Sequence, residues 1–163
     1  MTADNPQSAP QAGKSILIVD DEQDIRDFLK SRLMVAGFRV QTASSGQEAV
    51  ATFIKCFYDG PFDVILLDIN LPDMDGLDIL KLLRQEEELR GVKDIDGVII
   101  VMQTGVKESW TDAFTKGCDD YIITPASPGE LCQVFGAPSL RVAPPAGASG
   151  DQEPLAVSQP TNL

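Results

Sequence analysis

Short segments with strand character punctuate the chain, and between them apolar residues recur every three or four positions. Residues 15–19 (Ser-Ile-Leu-Ile-Val), 38–43, 63–67, 98–102 and 120–123 are too short for helices and predict five strands. The continuous apolar runs at 63–67 and 98–102 suit strands covered on both faces. Helical spacing follows each strand. Ile25, Phe28, Leu29, Leu33 and Ala36 share one face, with Gly37 placed to end it. Ala49, Val50, Phe53, Ile54 and Phe57 share another, capped by Ser44 or Ser45, with Glu48 completing a capping box on Ser45. Leu77, Leu80 and Leu83 mark a third helix over 75–88, running into the acidic Glu86-Glu87-Glu88, which reads as a solvated end. Trp110, Ala113 and Phe114 mark a fourth, ending near Gly117, and residues 127–135 a short fifth. Five strand–helix alternations predict a parallel sheet with helices on both faces, because each crossover is right-handed.

Polar residues terminate the apolar runs, and in an open parallel sheet the carboxyl ends of the strands are where ligands bind. Asp20 and Asp21 follow the first strand, Asp68 the third, Thr104 the fourth and Thr124 the fifth. Carboxylates gathered in one pocket repel, and burying them unpaired is expensive. A hard divalent cation such as Mg²⁺ resolves this, taking oxygen ligands and keeping several waters. Asp20 or Asp21, Asp68 and a backbone carbonyl just past Asp68 would supply three oxygens. A carboxylate beside Mg²⁺ is also a nucleophile toward phosphorus, giving an aspartyl phosphate. Such a transfer is mainly positioning and charge neutralisation, and the Thr104 hydroxyl is a candidate donor to a phosphoryl oxygen.

Composition narrows the chemistry. The formal net charge is −12, from 13 Lys+Arg against 25 Asp+Glu, which argues against direct nucleic-acid or anionic-membrane binding. No run of apolar residues is long enough for a membrane span, and residues 1–13 lack the charged start and apolar core of a secretory signal. Cys56, Cys118 and Cys132 are scattered and odd in number, as free thiols of a cytoplasmic protein would be. There is no histidine, so a phosphohistidine donor, a Ser-His-Asp triad, a Cys-His pair and a His metal ligand are excluded from this chain. The Pro-, Ala-, Gly- and Ser-rich segments at 1–13 and 136–163 read as disordered tails flanking one domain over 14–135.

Ile16-Leu17-Ile18-Val19-Asp20-Asp21-Glu22, the segment from Asp68 through Pro72 to Gly76, and Asp119-Asp120-Tyr121 ahead of a residue–Pro pair together resemble the receiver domain of bacterial two-component response regulators. The resemblance covers roughly residues 15–135. It implies a three-layer, flavodoxin-like doubly wound α/β fold with strand order 2-1-3-4-5. It implies Asp68 as phosphoacceptor and Asp20, Asp21 and Asp68 around Mg²⁺, with the Asn70 backbone carbonyl as a further metal ligand. Thr104 matches the switch hydroxyl and Tyr121 the aromatic that moves with it. The implied partners are a histidine kinase or histidine phosphotransfer protein and an unidentified output protein. The implied role is a stand-alone signalling module that gains and loses a phosphoryl group, not a turnover enzyme. One position departs from the pattern: Thr124 stands where the family carries a lysine. A pseudo-receiver, with the fold but impaired switching, is therefore the alternative. Lys14 starts the first strand, at the wrong end of the sheet to substitute; Lys107, three residues past Thr104, is at the correct edge. A phosphatase of the haloacid dehalogenase type also uses a strand-end Asp with Mg²⁺, but has a second Asp where this chain has Asn70.

Overall fold

A computed structural model describes residues 13–93, 96–105 and 110–123. Lys107, Thr124, Cys132, the helix expected over 127–135 and most of both expected tails lie outside them. The elements are β1 (Ser15–Val19), α1 (Gln23–Val35), β2 (Arg39–Ala43), α2 (Gly46–Cys56), β3 (Val64–Asp68), α3 (Gly76–Leu89), β4 (Ile99–Thr104), α4 (Trp110–Thr115) and β5 (Asp120–Ile123). All neighbouring strands pair in parallel, in the order β2-β1-β3-β4-β5. This is the flavodoxin-like order. The chain leaves β1 to one side to make β2, then crosses back to lay β3 on the other side. The tips of β1 and β3 thus flank the topological switch point.

Side-chain alternation along the strands divides the interior in two. Leu17, Val19, Ile65, Leu67, Ile100 and Met102 face Ala49 and Phe53 of α2, Leu80 and Leu83 of α3 and Ala113 of α4. Ile16, Ile18, Val64, Leu66, Val101 and Ile122 point the other way, toward Leu29 and Leu33 of α1. By the same alternation Asp20, Asp68 and Gln103 continue the α1-facing set at the tips, and Thr104 continues the opposite one.

Several boundaries differ from the sequence reading, each for a local reason. The strand expected over 63–67 is Val64–Asp68, since Asp68 still pairs with Gln103; just before it, the Asp63 carboxylate accepts from the Ser15 amide at 2.7 Å. The strand expected over 98–102 is Ile99–Thr104, since Gln103 and Thr104 still pair, with Asp68 and Ile123. Phe38 is not in β2: its amide bonds back to the Leu33 carbonyl (3.1 Å) and that of Gly37 to Met34 (3.0 Å), a helix stop that needs the positive φ of 93° found at Gly37. The capping box on α2 is displaced. Ser45 accepts from the Glu48 amide, but the Glu48 carboxylate returns to Ser44, accepting from its amide (2.7 Å) and hydroxyl (2.9 Å).

Two expectations about faces fail. Phe28 and Ile54, placed by spacing among the core positions, are exposed. Leu29 and Leu33 are the buried positions of α1, and Phe28 lies at the helix margin with the Arg32 guanidinium 5.4 Å from its ring centroid. Glu87 is the reverse case: within a run read as solvated, it is only 5% exposed. Its carboxylate accepts from the Val98 amide (2.6 Å) and from Arg84 Nη1 (2.7 Å). Arg84 also donates to the carbonyls of Gly117 (2.9 Å) and Val98 (2.8 Å) and, from Nη2, to Asp119 Oδ2 (2.6 Å). This network pins α3 to the starts of β4 and β5, the sheet edge opposite Asp68. Cys56 and Cys118 are free thiols, the latter buried and its ionisation pushed up to about 12 by that burial. Among the described residues no helix is long and apolar enough to cross a membrane.

Candidate functional site

Asp20 follows the last residue of β1 and is 1% exposed; Asp21, next in the chain, is exposed; Asp68, the last residue of β3, is partly buried. One carboxylate oxygen from each lies within 4.8 Å of the others. Asp20 is held on both oxygens: Oδ1 accepts from the Glu22 amide and Oδ2 from Gln103 Nε2, each at 2.9 Å. Arg26, in the first turn of α1, donates to the Asp20 carbonyl at 2.7 Å. Asp68 Oδ1 accepts from the Asn70 amide at 3.0 Å, and among the described residues no group donates to its other oxygen. No ion pair among the described residues involves any of the three acids.

The electrostatics follow. Burial pushes the Asp68 carboxyl up to about 6; the Asn70 amide pulls against this, and the charges of Asp20, Asp21 and Glu22 reinforce it. Burial also raises Asp20, against the pull of the Glu22 amide. Clustered acids of this kind are discharged by a proton or by a cation, and an all-oxygen donor set favours a hard one. The three converging carboxylates fit Mg²⁺.

The loop after Asp68 is fixed at several points. The Gly76 amide donates to the Ile69 carbonyl (2.8 Å), Asn70 and Asp75 form a bridge, and the Asp75 carboxylate caps α3 at the Leu77 amide (2.7 Å). Asp73 reaches to a different helix. Its two oxygens accept from the Gly46 and Gln47 amides, each at 2.9 Å, so that α2 receives a carboxylate from the β3–α3 loop on its first two N–H groups. Those amides hold the Asp73 carboxyl below the usual carboxylate range.

The structure thus gathers Asp20, Asp21 and Asp68, with Asn70 bonded to the last. Thr104 is buried at the tip of β4, next to β3. Tyr121 lies on β5, opposite Met102, partly buried against the core under α2–α4. Sequence reasoning passes over Gln103, Asp73 and Arg26. Gln103 alone has a legible signal, a polar side chain interrupting an apolar strand just before its tip.

The response regulator receiver domain, as a sequence family, matches residues 16–135. The chain belongs to this family. A curated relative of the receiver is the probable transcriptional regulator ycf27 of Cyanidium caldarium, 35% identical over 133 residues, 80% of this chain and 47% of that one. The receiver spans less than half the length of the curated relatives it matches. Among solved structures, the response regulator TrrA of Thermotoga maritima, in complex with Mg²⁺ and BeF, is 30% identical with a TM-score of 0.61, covering 75% of this chain and 96% of that one. The receiver domain of Ssk1 of Saccharomyces cerevisiae, solved together with the histidine phosphotransfer protein Ypd1, is 27% identical with a TM-score of 0.66, covering 76% and 86%. Receivers are signalling modules of two-component systems that bind Mg²⁺ at an acidic pocket, and this receiver gathers a cluster of three acids at the carboxyl edge of its sheet.

Proposed function

We propose that this receiver accepts a phosphoryl group on Asp68 from the phosphohistidine of a histidine kinase or histidine phosphotransfer protein, in a Mg²⁺-dependent phosphorelay. The observation that carries this reading is the convergence of the Asp20, Asp21 and Asp68 carboxylates within 4.8 Å, with one Asp68 oxygen left without a donor among the described residues. The Mg²⁺–BeF complex of TrrA and the Ypd1 complex of Ssk1 support it.

Asp20, Asp21, Asp68 and the Asn70 carbonyl would hold the metal. Bound there, Mg²⁺ supplies positive charge against the three carboxylates and the incoming phosphoryl oxygens. The Asn70 amide holds Asp68 Oδ1 in place, so Oδ2 is the attacking atom. It forms the new P–O bond as the P–N bond to the donor imidazole breaks, and the electron pair leaves with the nitrogen. Thr104 is the hydroxyl assigned to a phosphoryl oxygen, and Tyr121 the aromatic whose position reports the change. Output would run through protein contacts, which a net charge of −12 directs toward basic faces.

The test is phosphotransfer from a phosphorylated histidine donor to wild type and Asp68→Asn, with and without Mg²⁺. Labelling of wild type alone, lost with chelator, is expected; equal labelling of the variant overturns the assignment. Thr124 favours a second reading, a pseudo-receiver that binds partners without switching. A charge-assisted bond from the missing lysine is worth roughly 1.5–3 kcal/mol. Under the first reading wild type is labelled and Thr124→Lys accelerates it; under the second, wild type stays unlabelled while still binding its partner.

A further inference from the structure

The Gln103 side chain reaches over the tip of β3. Strands β1 and β4 each pair with β3 and not with one another, so two strand spacings of about 4.8 Å separate them. Gln103, on β4, closes that gap by donating from Nε2 to Oδ2 of Asp20 beyond β1 at 2.9 Å. Asp68, its register partner, lies on the strand between. Both ends of the bridge are buried, Gln103 at 5% and Asp20 at 1% exposure.

An amide buried at a strand tip costs free energy unless bonded, and an apolar residue, as at Val98 through Met102, would fill the place without that cost. The bond Gln103 makes is to the most buried acid of the cluster. With Glu22 on Oδ1 and Gln103 on Oδ2, Asp20 has a fixed donor on each oxygen, and each oxygen keeps a lone pair. We infer that Gln103 is a positioning residue for the acidic site, whose amide holds the Asp20 carboxylate in the orientation that takes a divalent cation beside Asp21 and Asp68. This rests on the reading of the three acids as a Mg²⁺ site. The neutrality of the donor matters. An amide fixes the carboxylate without bringing a positive charge to compete with the cation, whereas an ammonium at the same place would hold Asp20 and repel the metal.

The experiment is calorimetric titration of Mg²⁺ into the full chain, comparing wild type with Gln103→Met, which keeps the length and loses the donor, and Gln103→Asn, which keeps the amide and loses the reach. Loss of an outer partner of a ligating carboxylate lowers metal affinity by about 10–100-fold. Both variants are expected to weaken Mg²⁺ binding by about tenfold or more, with unchanged far-UV circular dichroism and cooperative melting without metal. Gln103→Lys is expected to weaken it further while melting no lower than wild type. Wild-type affinity in either Gln103→Met or Gln103→Asn overturns the role of Gln103 and leaves the metal site standing. No uptake of Mg²⁺ by wild type removes the metal site and this role together. Should both variants fail to fold, the side-chain NH₂ resonances of Gln103 in wild type decide: slow exchange and a shift on Mg²⁺ saturation support the bridge, and fast exchange with no shift overturns it.

Discussion

A Cβ built on Gly76 would lie 2.3 Å from the carbonyl oxygen of Asp68, so the first residue of α3 is pressed against the backbone that carries the candidate phosphoacceptor. The next nearest atom, the Ile69 Cα at 2.6 Å, is also backbone and cannot swing aside. Gly76→Ala is therefore expected to destabilise by at least the roughly 1–3 kcal/mol of an overpacked core, read by urea unfolding. Relief of the clash displaces Asp68, so Mg²⁺ affinity falls as well. A variant with wild-type stability and affinity would contradict this contact.

Metal-free protein is expected to become less stable as pH rises from about 5 to about 7.5. Asp68 holds its proton up to about 6 in the fold, against 3.8 for an ordinary Asp, so over that interval the folded state binds more protons than the unfolded one. Burial raises Asp20 and Asp120 in the same direction. The lowered groups, Glu48 and Asp73, contribute stability above their ordinary values and lose it only in more acidic solution. Melting temperature against pH should therefore fall toward neutrality in wild type, fall less in Asp68→Asn, and flatten when Mg²⁺ is added.

Arg84→Met is expected to cost about 3–5 kcal/mol, because it takes the guanidinium away from the buried Glu87 carboxylate and the partly buried Asp119 carboxylate. Adding Glu87→Gln should restore part of the loss in a double-mutant cycle by urea unfolding. Mg²⁺ affinity should stay near the wild-type value, since the network sits at the edge of the sheet away from Asp68.

Asp73→Ala is expected to lower the melting temperature and weaken Mg²⁺ binding together, because the same carboxylate closes α2 and tethers the loop that carries Asn70. Asp73→Asn retains one acceptor and should fall between wild type and Ala. A normal Mg²⁺ titration in Asp73→Ala would separate the cap from the site.

What can be read from the sequence divides along physical lines. Strand positions are legible because a strand buried on both faces admits few polar residues, so Asp20, Asp68 and Thr104 show as the ends of apolar runs, whereas the strand order is implied by the family resemblance. Glu87 misleads because a run of acids looks alike whether or not an arginine three residues earlier and the amide just ahead of β4, eleven residues later, are waiting for one of them. Phe28 and Ile54 mislead because spacing gives an apolar stripe but not its width of contact. Asp73 and Gln103 act across 27 and 83 residues of sequence, on partners chosen by topology and not by neighbourhood.

The alternation that sends Leu66 and Asp68 to one side of β3 and Leu67 to the other has an implication for how errors in assembly would be punished. Slipping β3 by a single residue against β1 would drive a carboxylate into the hydrocarbon beneath α2 and α3 and present a leucine where the acid cluster gathers. A misthreaded molecule would thus be both unstable and inert. Quality control of the fold and fidelity of the signal are guarded by the same two-residue rhythm.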